Sequence, residues 1–253
     1  MARPRSRHLR TAGRALALAA ATGAALVAGI GAAAAADPPI PAFEAEYQVK
    51  YGRLTLGESR LELSYPEPGQ YRYEMYLAPR GLARAILGTD LTDISEGRVA
   101  DDGALVPERF IHKREGRDER HEETRFDREA ERIHFPDAEA IALEDGAVDR
   151  LLPQLLIMRD LAETFDQVLA YRIADDGEIS EYRFERQGRE RVSVPFGSQR
   201  AERLQRVREG DSDRESNAWV YPRMSNLPLK IEHIADGRTF VMELKEVSGP
   251  ITD

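Results

Sequence analysis

LPLKIEHIADGRTFVMELKEV, residues 227–247, is the stretch from which the fold can be read. Asp236-Gly237 stands between two runs in which apolar and polar residues alternate, the strongest short-range signal for a hairpin with a two-residue turn. With that turn, facing positions carry numbers that sum to 473, so Leu229 faces Leu244, Ile231 faces Met242 and His233 faces Phe240 on one side. Lys230 faces Glu243 on the other. An apolar wall backed by an ion-pair face is what a half-buried antiparallel sheet requires. Just upstream, Trp219, the only tryptophan, and Tyr221 share a strand that Pro222 ends or places at an edge.

The same logic extends outward. Asp176-Gly177 predicts a second hairpin whose facing numbers sum to 353, pairing Tyr171 with Tyr182 and Leu169 with Phe184, and Arg172 with Glu181 and Val168 with Glu185 behind them. Phe43, Ala45, Tyr47, Val49 and Tyr51 alternate with polar residues as a first strand. Leu54 and Leu56 are out of phase with Leu61, Leu63 and Tyr65, which predicts a bulge near Gly57. Tyr71, Tyr73, Met75 and Leu77 return as a third strand. Thr89 to Phe135 keeps strand punctuation but is heavily charged, with Phe110, Phe126, Ile133 and Phe135 as inward anchors, and reads as a solvated edge. Gln199 to Arg208 reads equally as a charged strand or a short helix.

Two segments have helical spacing. Pro79 to Gly88 predicts a two-turn helix ending at glycine, or else a loop that covers one edge of the sheet. Asp149 to Thr164 predicts one long helix, with Leu151, Leu152, Leu155, Met158, Leu161 and Ala162 on its apolar face, Asp149 as a cap, and Pro153 tolerated only in the first turn. Roughly ten strands at turn spacings of about 8 to 12 residues predict a mostly β fold, an antiparallel meander curled into an open or closed barrel, with the long helix packed on the concave face.

The chain opens with Arg3, Arg5, Arg7, Arg10 and Arg14, then an apolar run from Ala15 to Ile30 and small residues at Ala34 to Ala36. That order predicts a secretory signal peptide over residues 1–36, too short in its apolar part to span a bilayer. Residues 37–42 form an extended proline-rich lead, and residues 43–248 a single mostly β domain. Losing five arginines and no acids takes the formal charge from −9 to −14. So acidic a chain lacks the positive field that nucleic acid or an anionic leaflet requires. Without a cysteine, it must hold its core by burial alone.

Catalytic spacings are missing from the sequence: there is no nucleophile elbow, no phosphate-cradling glycine loop and no paired metal-binding histidines. His112, His121 and His134 fall on successive charged strands without the short ligand spacing of a zinc site, so no metal and no cofactor is expected. Asp101-Asp102 and Asp175-Asp176 sit in hairpin turns, where aspartate serves the backbone. What remains is the aromatic content of the inferred inward faces. Tyr47, Val49, Tyr73, Met75, Tyr171, Tyr182, Trp219, Ile231, His233 and Met242 are the residues that would wall a cavity for an apolar ligand, and core packing accounts for the same set.

Three stretches resemble the DUF3108 family of exported bacterial proteins of unknown function: the opening strand F-E-A-E-Y-Q-V-K-Y-G from Phe43, L-T-L-G-E-S from Leu54, and W-V-Y-P-R-x-x-x-L-P-L-K-I-E from Trp219 to Glu232, with Pro107 and Phe110 between them. The resemblance spans most of the chain after the leader and implies a periplasmic, mostly β protein. It transfers no catalytic residue. The expectation is therefore a non-enzymatic periplasmic protein that binds an apolar molecule, a lipid or a lipidated polypeptide, in a curved-sheet cavity. The alternative is a solid-cored module acting on an envelope protein, and an enzyme ranks third.

Overall fold

The computed structural model describes residues 38–117, 119–208, 214–235 and 237–252. Its strands are β1 (Phe43–Tyr51), β2 (Leu54–Ser64), β3 (Gln70–Pro79), β4 (Thr89–Val99), β5 (Leu105–Gly116), β6 (Arg120–Asp127), β7 (Arg132–His134), β8 (Ile141–Ala142), β9 (Ala147–Val148), β10 (Val168–Asp175), β11 (Glu178–Val194), β12 (Gly197–Val207), β13 (Glu215–Tyr221), β14 (Leu227–Ala235) and β15 (Arg238–Ser248). Helix α1 (Gly81–Leu87) joins β3 to β4, and α2 (Pro153–Glu163) lies between β9 and β10. Short strands such as β7, β8 and β9 raise the count above the ten read from periodicity, because two or three residues carry no alternation to detect.

All fifteen form one sheet, in which β1 pairs with β15 at the centre and the two edges are β8 and β9. Those edges are consecutive in the chain, separated only by residues 143–146. A flat sheet of this size would place them roughly 65 Å apart at about 4.8 Å per strand, while four residues reach about 14 Å. The sheet therefore curls until its edges meet. Among the described residues no hydrogen-bonded ladder closes it; β9 pairs instead with β10, in parallel.

Apolar overlap seals the seam. Phe126 and Ile133, with Phe135 and Ile141, pack with Ala147, Ala174 and Ile179 in a cluster separate from the main core. By register, Ala174 and Ile179 point away from the face that carries Tyr171, so β6 to β8 lap over the back of β10 and β11. The charged segment from Thr89 to Phe135 thus has its phenylalanines inside this overlap or the main core, with its charges outward.

Both glycine hairpins form in the expected register. Asp176 and Gly177 adopt φ of 49° and 87°, and Tyr171 pairs with Tyr182, Leu169 with Phe184, Arg172 with Glu181 and Val168 with Glu185. At the other hairpin Asp236 lies outside the described residues, but Ala235 pairs with Arg238, His233 with Phe240, Ile231 with Met242 and Lys230 with Glu243. The ladder stops there. Beyond it the Leu244 carbonyl accepts from the Phe196 N–H at 2.9 Å, so the tip of the long β11–β12 hairpin has taken the place expected for Leu229.

The bulge is at Leu56: Val49 pairs with Gly57 and Lys50 with Thr55. A Cβ on Gly57 would lie 2.1 Å from the Ala78 carbonyl oxygen, which is why glycine stands there. Helix α1 ends at Gly88, φ 62°, as its glycine foretold. Residues 199–207 belong to β12, settling the charged segment as strand.

Helix α2 is shorter than its apolar spacing suggested. It begins at Pro153 rather than Asp149, because proline without an N–H suits the first helical position and Leu152 becomes the cap residue. Asp149 still serves the helix start: its Oδ1 accepts from the N–H groups of Leu151 and Leu152 at 2.9 and 3.0 Å. Leu152, Leu155 and Met158 join Tyr47, Tyr73, Leu63, Leu229 and Leu244 in one buried core, and the extended lead adds Ile40, whose carbonyl accepts from Tyr65 Oη.

Candidate functional site

The face of the sheet that carries Tyr47, Tyr73 and Tyr171 is its core face, and burial along it is graded. On β15 Leu244 is 0% exposed, Met242 half-buried and Phe240 43% exposed. On β14 Leu229 is fully buried, Ile231 half-buried and His233 exposed. Strand β1 continues the same row, with Tyr51 opposite Phe240 and their rings 4.8 Å apart, and Leu54 on β2 beyond it at 66% exposure. The apolar face thus runs out of the core into the open at the end where the β1–β2 and β14–β15 turns lie.

The expected wall residues divide accordingly. Tyr47, Tyr73 and Tyr171 sit in the core beside α2; the hydroxyl of Tyr47 donates to Pro228 C=O at 2.8 Å and that of Tyr171 to Asp160 at 2.9 Å. Burial drives all three phenol pKa values upward. Val49 is buried, and Met75, Tyr182, Ile231 and Met242 are half-buried on the same face nearer the open end. Trp219 belongs to the same buried cluster but is set differently on its strand. It pairs with Lys230 and Arg203, lies between their cations at 4.3 and 5.5 Å, and donates to Glu190 at 2.5 Å. The register separates it from Ile231 because adjacent β14 residues point opposite ways.

His233 stands at the rim rather than inside. Its Nδ1 is 2.9 Å from Ser216 Oγ, which also accepts from Arg208 at 3.2 Å. Partial desolvation of the ring, then the charges of Arg208, Arg214 and Arg206, hold its pKa below the ordinary histidine value. Arg206 shares the core face with Phe184 and lies 3.2 Å above the Tyr182 ring. A cleft of about 500 Å³ opens here, lined by residues 180–183 and 206–208.

Across the mouth, near the seam, the core face turns polar. Arg150 reaches Asp93 of β4 at 3.6 Å and Asp175 of β10 at 3.5 Å, with its guanidinium 4.9 Å from the Phe110 ring. Asp93 is also bonded to His112 Nδ1 at 2.5 Å. Arg150, Asp175, His112 and Phe110 edge a cleft of about 260 Å³ that also takes in Arg120, Glu122 and Asp137. Burial raises the Asp175 pKa, opposed by Arg150. Asp175 was assigned to turn formation from sequence, and its link through Arg150 to β4 was not visible there. His121 and His134 are exposed and apart from His112, and no metal-holding group of three ligands occurs among the described residues.

Fold and site together define a mostly antiparallel sheet curled into an unclosed barrel. The chain belongs to the family described as "Protein of unknown function (DUF3108)", which matches residues 46–245. A solved structure of the same shape is the beta-barrel-like protein of domain of unknown function DUF1849 from Brucella abortus, 11% identical, covering 83% of this chain and 98% of its own, with a TM-score of 0.54. That likeness is one of fold. No curated protein matches the sequence.

Proposed function

We propose that this is a non-enzymatic, exported periplasmic protein that binds an amphiphile, a lipid or a lipidated polypeptide, at the open mouth of its curled sheet. In this reading α2 lies along the concave face and fills its inner half, and the outer half is the binding wall. The observation that carries it is the graded exposure of one continuous apolar row, from Leu244 through Met242 to Phe240, with Tyr51 and Leu54 alongside. A row that serves only a core would end in polar residues before it reached solvent. Residues 1–36 act as the export signal in this reading.

The test is native mass spectrometry of protein exported by its own leader and purified without detergent. The expected spectrum shows a bound species of several hundred daltons, lost in Phe240→Ser/Tyr51→Ser. Bare polypeptide in every preparation would overturn the amphiphile reading.

A second reading has its own support. Complete burial of Tyr47 and Tyr73 against α2 leaves a packed interior, as in a module that acts on an envelope partner through its surface. Bare polypeptide would favour it.

A further inference from the structure

The mouth carries a charge feature that an apolar ligand alone does not explain. The formal charge of the chain is −9, yet Arg183, Arg206 and Arg208 line one cleft, and His233 stands beside it, joined to Arg208 through Ser216. About half of the described arginines are held in ion pairs; Arg72 and Arg109 both grip Glu96, and Arg186 and Arg189 both face Glu202. Arg206 differs. Among the described residues it makes no ion pair or hydrogen bond, and its guanidinium lies over the Tyr182 ring. Arg208 donates once, to Ser216, and the Nε of each guanidinium is buried without a partner. The acid lining this cleft is Glu181, which stands 3.9 Å from Arg183 Nε.

Two guanidiniums with unmet donors are costly to hold side by side, since each raises the potential at the other. Burial, then the charge of Arg206, lowers the Arg208 pKa, opposed by Tyr182. Arginine forks of this kind match a group with several anionic oxygens. The stacking of Arg206 on Tyr182 holds its fork in place before a ligand arrives, which reduces the entropy lost on binding. The apolar row begins next door: Phe184 pairs with Arg206, and His233 with Phe240.

We propose that Arg206 and Arg208, flanked by His233 and Arg183, form a binding site for a phosphoryl group, the head of an amphiphile whose apolar part lies along Phe240 and Tyr51. This rests on the mouth reading above. The shared chemistry is a phosphate monoester or diester, free or carried by a lipid.

Isothermal titration of the exported protein against three probes separates the possibilities: inorganic phosphate, dodecyl phosphate and the uncharged 1-dodecylglycerol. The expected result is dodecyl phosphate binding at least tenfold tighter than 1-dodecylglycerol, weakening steeply with salt, with inorganic phosphate weaker than dodecyl phosphate. In Arg206→Gln/Arg208→Gln the preference for the phosphate should fall to about twofold or less while 1-dodecylglycerol binding holds. Should the double variant unfold, Arg208→Gln alone, whose side chain has one hydrogen bond to lose, should cut the preference at least threefold. Equal binding of both dodecyl compounds by the wild type would overturn the phosphoryl site and leave the mouth reading standing. Binding of inorganic phosphate as tight as dodecyl phosphate, with no binding of 1-dodecylglycerol, would support the anion site and remove the amphiphile. No binding of any probe would overturn both.

Discussion

The Asp149 carboxylate accepts a hydrogen bond from Ser95 Oγ at 2.6 Å, and Ser95 in turn is 3.1 Å from Tyr71 Oη. All three groups are buried, so the start of α2 is tied to β3 and β4 through a chain of polar groups inside the core. Its neighbour Arg150 reaches Asp93 on β4 and Asp175 on β10. Two adjacent residues thereby connect the helix to β3, β4 and β10.

Burial pushes the Asp149 pKa up to about 6, against the hydrogen bonds from Ser95, Leu151 and Leu152, which lower it. A raised carboxylate pKa means the folded state holds a proton that the unfolded state releases. Its contribution is present below about pH 4 and is lost as pH rises through about 6, a change on the order of 3 kcal/mol. Asp149→Asn keeps an acceptor for both N–H groups and should abolish this slope in urea unfolding between pH 4 and 6. An unchanged slope would assign the pH dependence elsewhere. Asp149→Ala should cost about 2 kcal/mol through the lost cap and an orphaned Ser95.

Two glycines separate crowding from backbone strain. Gly57→Ala brings a Cβ within 2.1 Å of a backbone oxygen and should cost about 3 kcal/mol. Gly52, at φ 56° with nothing near its Cβ position, should lose only about 1 kcal/mol as alanine. Equal losses in thermal melts would contradict the bulge geometry.

The graded row predicts graded sensitivity. Leu244→Ala, at the fully buried end, should cost about 3 kcal/mol. Ile231→Asp should unfold the domain or come close to it, because Ile231 points to the core face. His233→Ala, at the exposed rim, should change stability by less than about 0.5 kcal/mol. Guanidinium titrations of the three variants check the order, and a costly His233 variant would place that residue inside.

At the seam, Arg150→Met removes two partly exposed ion pairs at 3.5 to 3.6 Å and should cost about 1 kcal/mol, less at high salt. Amide exchange in β9 and β10 should quicken in the variant while β1 and β15 hold. Uniform exchange would mean that the apolar overlap alone secures the seam.

Much of the fold was legible because hairpins are local. A glycine pair at the turn and a period of two decide which residues face each other, and both readings hold wherever the pairing strands are sequence neighbours. Trp219 shows the limit. Its own strand was visible, but its partners depend on a register shift between Trp219 and Val220, which leaves Leu229 unpaired and which no periodicity announces. The short strands β7 to β9 escaped for lack of length. Arg206 and Arg208 were missed since they lie on β12 and just past its end, where charged residues dominate and the segment reads equally as strand or helix.

The sequence by itself determined the strands with clear alternation, the registers of the two glycine hairpins, the bulge beside Gly57 and the helix start served by Asp149, all set by contacts between residues close in the chain. Only the tertiary structure decided that β1 pairs with β15, that the edges overlap without a ladder, that Arg150 joins β4 to β10 and that Arg206 and Arg208 meet His233 beside an open apolar row. Those depend on how far the sheet curls, a sum of small twists over fifteen strands that no single stretch encodes.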